Sequence, residues 1–204
     1  MTLRRMFSLA AVIAAFVAFA LLYHDSCGPF ADWQTSSYVL PYPVGSTHAV
    51  LQSTCTNATH RGPLKYSYDF SMPVGTTVTA ARAGVVTDIR MEFRDSQRGE
   101  DESNWVRIQH ADGTIASYVH LTERGALVKV GDVVVIGQPI GLSGNTGNTS
   151  RWPHLHFHVR RCSSCATLPV TFRNTDANPE GLNAQRSYLA LPYEKTDGAL
   201  HAGQ

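Results

Sequence analysis

Neither sign of charge dominates this sequence, and its lysines and arginines are scattered rather than clustered. The formal net charge is only +1, which gives no broad electrostatic attraction for the phosphates of a nucleic acid. A glycine-rich loop that opens a helix and cradles phosphate is also missing, because the glycines from Gly137 to Gly147 stand among strand signals and are typical of turns. We therefore expect no nucleic-acid partner.

Helical periodicity is nearly absent after residue 24, apart from a short turn expected at 121–125. A chain of 204 residues that is 43% hydrophobic suits one globular domain with a modest core. Short β-rich runs separated by Gly, Asn, Asp and Pro predict an all-β domain built on a compact antiparallel sheet. The predicted strands are Thr77–Ala80, Val85–Met91, Trp105–Gln109, Thr114–Tyr118, Val133–Ile136 and Leu155–Val159.

Long hydrophobic runs are confined to the N-terminus, where an uncharged apolar stretch extends from Met6 to Tyr23 behind Arg4 and Arg5. This order is typical of a signal sequence, with 18–20 (Ala-Phe-Ala) as a cleavage site. The run is also almost long enough to span a bilayer. We predict export, with residues 1–23 as either a signal peptide or an inner-membrane anchor. An irregular arm is expected over 24–44 and a polar C-terminal tail over 176–204.

Cysteines are few, and their number is even: Cys27, Cys55, Cys162 and Cys165. In an exported protein these four thiols are disulfide candidates with three possible pairings. A local bridge between Cys162 and Cys165 would staple a turn after the histidine-rich segment, which leaves Cys27 to pair with Cys55. A second zinc site would need two further ligands that the sequence does not offer. A thioredoxin-like redox motif is disfavoured because no strand-to-helix transition surrounds the second pair.

The most informative segment is 152–159, Trp-Pro-His-Leu-His-Phe-His-Val, in which histidines alternate with apolar residues. Alternate side chains of a β-strand share one face, so His154, His156 and His158 would project into one small volume. Such a face is either a solvated polar surface or part of a metal site. A second group of candidate ligands upstream favours the metal site.

That upstream pair is His60 and Asp69. Asp69 stands between Tyr68 and Phe70, a setting in which a buried carboxylate is costly unless a cation or hydrogen bonds compensate it. Two imidazoles and one carboxylate leave the fourth tetrahedral position of a zinc ion open for water. That ligand set is typical of hydrolytic zinc sites, whereas structural zinc sites are mostly cysteine-rich and closed.

A third segment, 118–121, reads Tyr-Val-His-Leu and follows a hairpin signal at 111–114. With the other two segments it resembles the lysostaphin-type, or LytM-type, zinc endopeptidases, which cut peptidoglycan cross-bridges. That family carries a His-x(n)-Asp, a Tyr-x-His-Leu and a His-x-His motif in this order. The resemblance covers roughly residues 45–175, which we assign as a LytM-like domain. It extends to landmarks at 69–76, 83–86, 130–132 and 144–147.

The resemblance implies a sheet that floors a substrate groove, with Zn²⁺ at its base. By resemblance, His60, Asp69 and His156 would bind the zinc, and His120 and His154 would face the bound water and the substrate carbonyl. The sequence does not decide which of those two is the general base.

The chain departs from the family pattern at two places. Thr-Ser-Arg-Trp at 149–152 replaces the usual Ser-Thr-Gly before the His-x-His motif, and His158 replaces the usual Glu after it. Neither change touches a predicted ligand, but both bear on the groove or on the surroundings of the metal. The charged loop 93–103 is another segment that would border the groove if it folds over it.

The function implied by the resemblance is hydrolysis of peptide cross-links in the peptidoglycan stem peptides, in the periplasm or cell envelope. The alternatives are a non-catalytic LytM-like module that activates another wall hydrolase, and a general secreted zinc protease. A biotinyl or lipoyl carrier domain is excluded because Lys129 precedes the turn instead of standing at its tip. No residue predicts which bond is cut or how many copies of the chain associate.

Overall fold

The computed structural model describes residues 27–56 and 58–194. These residues form strands and one short 3-10 turn, Gly62–Leu64, and contain no α-helix. The strands are β1 (Thr47–Gln52), β2 (Ser67–Ser71), β3 (Thr77–Thr79), β4 (Gly84–Arg90), β5 (Trp105–Gln109), β6 (Ile115–Val119), β7 (Leu121–Ala126), β8 (Val133–Val134), β9 (Pro139–Ser143), β10 (His154–Arg160) and β11 (Ser187–Leu189).

The strands form two antiparallel sheets, which confirms the predicted all-β class. The larger sheet has eight strands in the order β11-β1-β2-β10-β6-β5-β4-β8, and the smaller has three in the order β3-β9-β7. The histidine-rich strand β10 lies in the middle of the larger sheet, between β2 and β6. Strands that are far apart in the chain therefore meet at this position.

The core lies on one face of the larger sheet, as the alternation of apolar residues along its strands requires. Phe70 of β2 and Phe157 of β10 are fully buried, as is Tyr118 of β6. The rings of Tyr118 and Phe157 are 5.3 Å apart, and Phe172 packs against Phe157 with a centroid distance of 5.9 Å. Because neighbouring side chains point to opposite faces, the histidines of β10 lie on the other side of the sheet.

The short helical turn expected at 121–125 is wrong. Residues 121–126 form β7, which pairs with β9 in the smaller sheet. The local sequence Thr-Glu-Arg-Gly is compatible with a helical turn, but pairing with a strand whose partner residues are 15 to 22 positions away in the chain decides its conformation. The glycine-rich segment that predicted only turns likewise contains β9.

The polar composition after residue 175 predicts a tail, but the described part of this segment packs against the domain. Strand β11 pairs with β1, and Tyr188 is buried. Buried amides in this segment and just before it also bond the backbone: Asn178 Oδ1 accepts the N–H of Phe172 at 2.9 Å, and Asn174 Oδ1 accepts that of Leu40 at 2.7 Å. The polar residues that predicted a tail are thus used as internal hydrogen-bonding groups.

Both predicted disulfides are present, joining Cys27 to Cys55 and Cys162 to Cys165. The first ties the irregular N-terminal arm, which has no strand between residue 27 and Thr47, to the loop after β1. Within 27–56 and 58–194, no helix is long and apolar enough to cross a bilayer. The signal or anchor predicted over 1–23 lies outside the described residues.

Candidate metal centre

The centre of the site is a pair of residues on neighbouring strands. Asp69 of β2 stands opposite His156 of β10 in the antiparallel register, and both side chains project from the face that is not covered by the core. Asp69 Oδ1 lies 2.8 Å from His156 Nδ1. The register of two strands 87 positions apart in the chain therefore creates this contact.

His60 reaches the same point from the loop that precedes the 3-10 turn. Its side chain is completely buried, its Nδ1 lies 2.8 Å from the carbonyl oxygen of Ser53, and its Nε2 lies 3.2 Å from Asp69 Oδ1. Ligand atoms of His60, Asp69 and His156 all lie within 4.8 Å of one another. The structure thus brings the three predicted zinc ligands together.

The hydrogen bonding of His60 tests whether this group fits a metal. A ring nitrogen beside a carbonyl oxygen must carry the proton, so His60 Nδ1 donates to Ser53 and His60 Nε2 keeps a lone pair. That Nε2 is buried and has no hydrogen bond to any residue that the structure describes. The carboxylate oxygen of Asp69 that lies 3.2 Å from it is also an acceptor. Two facing lone pairs are satisfied by a cation between them, so the residues fit a metal ion.

His120 and His154 lie beside this triad, with ring centroids 4.7 Å apart. Each ring is held by a hydrogen bond from Nδ1. Nδ1 of His120 lies 2.7 Å from the carbonyl oxygen of Thr146, and Nδ1 of His154 lies 2.7 Å from that of Trp152. In its neutral form each ring therefore carries its proton on Nδ1 and a lone pair on Nε2, and Nε2 of His154 is 3.6 Å from Asp69 Oδ1. The five predicted site residues form one cluster.

His120 occupies a backbone conformation that residues other than glycine rarely adopt. Its φ of 66° lies in the left-handed region, at the junction where β6 ends and β7 begins. This conformation costs a non-glycine residue roughly 1–2 kcal/mol. It also breaks the alternation of the strand, so the ring of His120 meets the loop at Thr146.

The surroundings of these groups set their charge. Burial by itself would raise the pKa of the Asp69 carboxyl, but the hydrogen bond from His156, the contact with His60 and the electrostatic effect of His156 and His154 hold that pKa well below its usual range. Burial lowers the pKa of His120 to about 3, with His154 adding to the effect. Burial also lowers the pKa of His156, although Asp69 opposes this. At neutral pH the Asp69 carboxylate is thus ionised beside the neutral imidazoles of His120 and His156.

The sequence did not indicate the groups that orient these rings. Ser53, Thr146 and Trp152 act through backbone carbonyl oxygens, which every residue has, so no residue type marks them. His158, the third histidine of the strand face, is in contact with His156, with 3.0 Å between His158 Nδ1 and His156 Nε2.

The charged loop 93–103 is bonded to the segment that holds His120. Asp95 Oδ1 accepts the backbone N–H of Asn145 at 2.6 Å, and Asp95 Oδ2 accepts the hydroxyl of Thr122 at 2.6 Å. Arg98 donates to the hydroxyl of Thr149 at 3.2 Å. The loop is therefore fixed to the turn that supplies the Thr146 carbonyl.

The sequence profile of peptidase family M23 matches residues 64–170, a range that begins just after His60. The peptidoglycan DD-endopeptidase ShyA of Vibrio cholerae is 42% identical over 91 residues, which cover 45% of this chain and 19% of that protein. The peptidoglycan DD-endopeptidase ShyC of the same organism is 40% identical over 150 residues, which cover 71% of this chain and 31% of that protein.

Among solved structures, the catalytic domain of lysostaphin from Staphylococcus simulans is 28% identical, with a TM-score of 0.44, over 61% of this chain and 87% of that one. The present chain spans less than a third of the length of the two Vibrio cholerae proteins, 19% and 31%.

Proposed function

We propose that this chain, which belongs to peptidase family M23, is a zinc-dependent endopeptidase that hydrolyses peptide cross-links of bacterial peptidoglycan. The observation that carries the proposal is the convergence of His60, Asp69 and His156, with His60 Nε2 buried and without a hydrogen bond to any described residue. The names of the two Vibrio cholerae relatives support the choice of peptidoglycan as substrate.

His60, Asp69 and His156 would hold the zinc ion through Nε2, a carboxylate oxygen and Nδ1, the atoms that face one another. Three protein ligands leave one position of a tetrahedral ion open. When bound, zinc polarises the scissile carbonyl and lowers the pKa of a bound water to about 7. The ionised Asp69 supplies the negative charge that offsets part of the charge of the ion.

His120 and His154 are the proposed catalytic residues. Since their Nδ1 protons are committed to backbone carbonyl oxygens, their Nε2 lone pairs are free to accept the proton of the attacking water. The protonated imidazole can then donate to the developing oxyanion or to the leaving amine. Because both rings present Nε2 to the site, their geometry does not distinguish the general base from the group that stabilises the oxyanion. Variants of each histidine alone separate these two roles.

The proposed site of action is the periplasm or cell envelope, with peptidoglycan stem peptides as the partner. Two disulfides and no free cysteine among the described residues support export, because disulfides persist in oxidising compartments. The apolar run over 1–23 would act as a signal peptide or as an inner-membrane anchor.

A non-catalytic wall-binding module is the less favoured alternative, because such modules usually lack one or more ligands and this chain brings all three together. A general secreted protease would share the same metal chemistry. The two peptidase functions therefore differ only in substrate and must be separated by experiment.

The test is digestion of purified peptidoglycan, followed by mass analysis of the released fragments. We expect cleavage at peptide bonds, loss of activity on chelation and recovery when zinc is returned. Casein serves as the control substrate and should remain intact. The variant Asp69→Asn keeps the shape of the side chain but removes its charge, and it should be inactive. Peptidoglycan cleavage that survives complete chelation would overturn the proposal, whereas casein cleavage would favour a general protease.

A further inference from the structure

His158 lies beside the proposed metal centre, but the reaction described above does not use it. It projects from β10 on the same face as His154 and His156 and is 8% exposed. Its Nδ1 is 3.0 Å from His156 Nε2, and the two ring centroids are 5.2 Å apart. It is thus within hydrogen-bonding distance of a proposed ligand, on the side away from Asp69.

The two nitrogens of His156 have different neighbours. Nδ1 faces Asp69 Oδ1 at 2.8 Å, and Nε2 faces His158 Nδ1 at 3.0 Å. A neutral imidazole carries one proton. If the Nδ1 lone pair is given to a metal, the proton of His156 must lie on Nε2, where a hydrogen-bond acceptor is needed because the ring is buried.

We propose that His158 is a positioning residue that accepts the Nε2 proton of His156 and thereby keeps the Nδ1 lone pair directed at the metal centre. The inference rests on the proposed metal site. Metal-binding histidines commonly donate their second N–H to a carboxylate, a carbonyl or a water, and loss of that partner typically weakens metal binding about 10–100-fold. In this chain a second imidazole takes that place.

The surroundings of His158 suit an acceptor. Its neighbours in the register are Ser67 on β2 and Ser117 on β6, and both are buried. A neutral ring has one nitrogen free to accept, and its other nitrogen must then carry the proton.

The usual glutamate at this position, expected from the family resemblance, would accept the same proton as a carboxylate. A charge-assisted hydrogen bond is roughly twice as strong as a neutral one, and it makes the ligand more basic. His158 therefore performs the same positioning with a weaker, uncharged acceptor. We expect His158→Glu to bind zinc at least as tightly as the natural chain.

The experiment measures the zinc dissociation constant by competition with a chromophoric chelator, using the folded, disulfide-bonded protein. His158→Phe removes the acceptor and should weaken zinc binding about 10–100-fold. His158→Asn places a carbonyl oxygen near the position of Nδ1 and should restore binding to within a few fold. His110→Phe is the matched control, because His110 is also buried and bonded through Nδ1 to a carbonyl, at the other end of the β5–β6 hairpin from His120.

A second measurement uses the zinc-loaded natural chain and long-range proton–nitrogen NMR of its imidazoles. We expect the His156 proton on Nε2 and no proton on His158 Nδ1, a result that does not depend on any variant folding. Equal zinc affinity of His158→Phe and the natural chain, or a His156 without a proton on Nε2, would overturn the role of His158 and leave the metal centre intact. A natural chain that binds no zinc would instead overturn the metal centre and this inference with it.

Discussion

The two histidines of the His-x-His motif should respond differently to the same substitution. His156 contacts Asp69 Oδ1 at 2.8 Å through Nδ1, whereas His154 Nε2 is 3.6 Å from that oxygen and its ring packs against His120 instead. His156→Ala therefore removes a proposed ligand. His154→Ala leaves His60, Asp69 and His156 in place, so its zinc content should remain near one ion per chain.

The size of each effect follows from these contacts. Loss of a direct ligand should weaken zinc binding by more than the ~10–100-fold attributed to an outer partner. It also removes a hydrogen bond to a buried carboxylate, which should destabilise the metal-free protein by roughly 1.5–3 kcal/mol. Loss of a positioned acid or base costs ~10²–10⁴-fold in turnover, or about 3–5.5 kcal/mol of activation free energy. His154→Ala should show only this last effect.

The assay combines elemental analysis of dialysed protein, chemical denaturation of the metal-free form and turnover on purified peptidoglycan. His120→Ala provides a comparison, because its ring occupies the neighbouring position and is likewise held through Nδ1. A His154→Ala protein that loses its metal while His156→Ala keeps it would reverse the two roles. Normal zinc content and normal turnover in both variants would refute the functional reading of this strand.

Four further predictions concern the rest of the chain. Substitution of Cys27 by Ser opens a bridge of sequence separation 28 and should lower the unfolding free energy by about 3.5 kcal/mol. Cys162→Ser opens a bridge of separation 3 and should lower it by only about 2 kcal/mol, so equal losses in denaturant titrations would contradict the loop-length argument. Burial lowers the pKa of His110 to about 4, so at this residue the unfolded chain binds more protons between pH 4 and about 6.5. His110 alone should therefore reduce the unfolding free energy of the natural protein by about 3 kcal/mol as pH falls through that window, and His110→Phe should lack this part of the loss in the same titration. Because the φ of His120 is 66°, His120→Gly should be about 1 kcal/mol more stable to thermal unfolding than His120→Ala, and the opposite order would exclude backbone strain at this residue. Fractionation of expressing cells should place the protein outside the cytoplasm with its thiols oxidised, whereas reduced protein in the cytoplasm would contradict export.

The local sequence alone was enough to predict the histidine face of β10. Alternation of side chains is a property of a single extended strand, so the common direction of His154, His156 and His158 follows from their spacing. The predicted strand Trp105–Gln109 has the observed bounds for the same reason. The pairing of Cys162 with Cys165 was also predictable, since residues three apart can meet in one turn.

Other features required long-range contacts and could not be read from the chain. Strand β7 is polar and β11 is short, and each exists because a partner strand supplies its hydrogen bonds. In the sequence, Asn174 and Asn178 look like residues of an exposed tail. Only the structure shows that their side-chain amides are buried and bond backbone groups.

The metal centre was predictable from the sequence in part, and in part it depended on long-range contacts. The residue types indicated a metal site, because imidazole and carboxylate are what zinc binds, and the family resemblance selected His60, Asp69 and His156 as its ligands. The tertiary structure decided which nitrogen of each ring faces the site, with the carbonyl of Ser53 beside Nδ1 of His60 and, for a metal-bound His156, His158 beside Nε2. The proton of a neutral imidazole goes to whichever nitrogen has an acceptor beside it, and only folding places that acceptor.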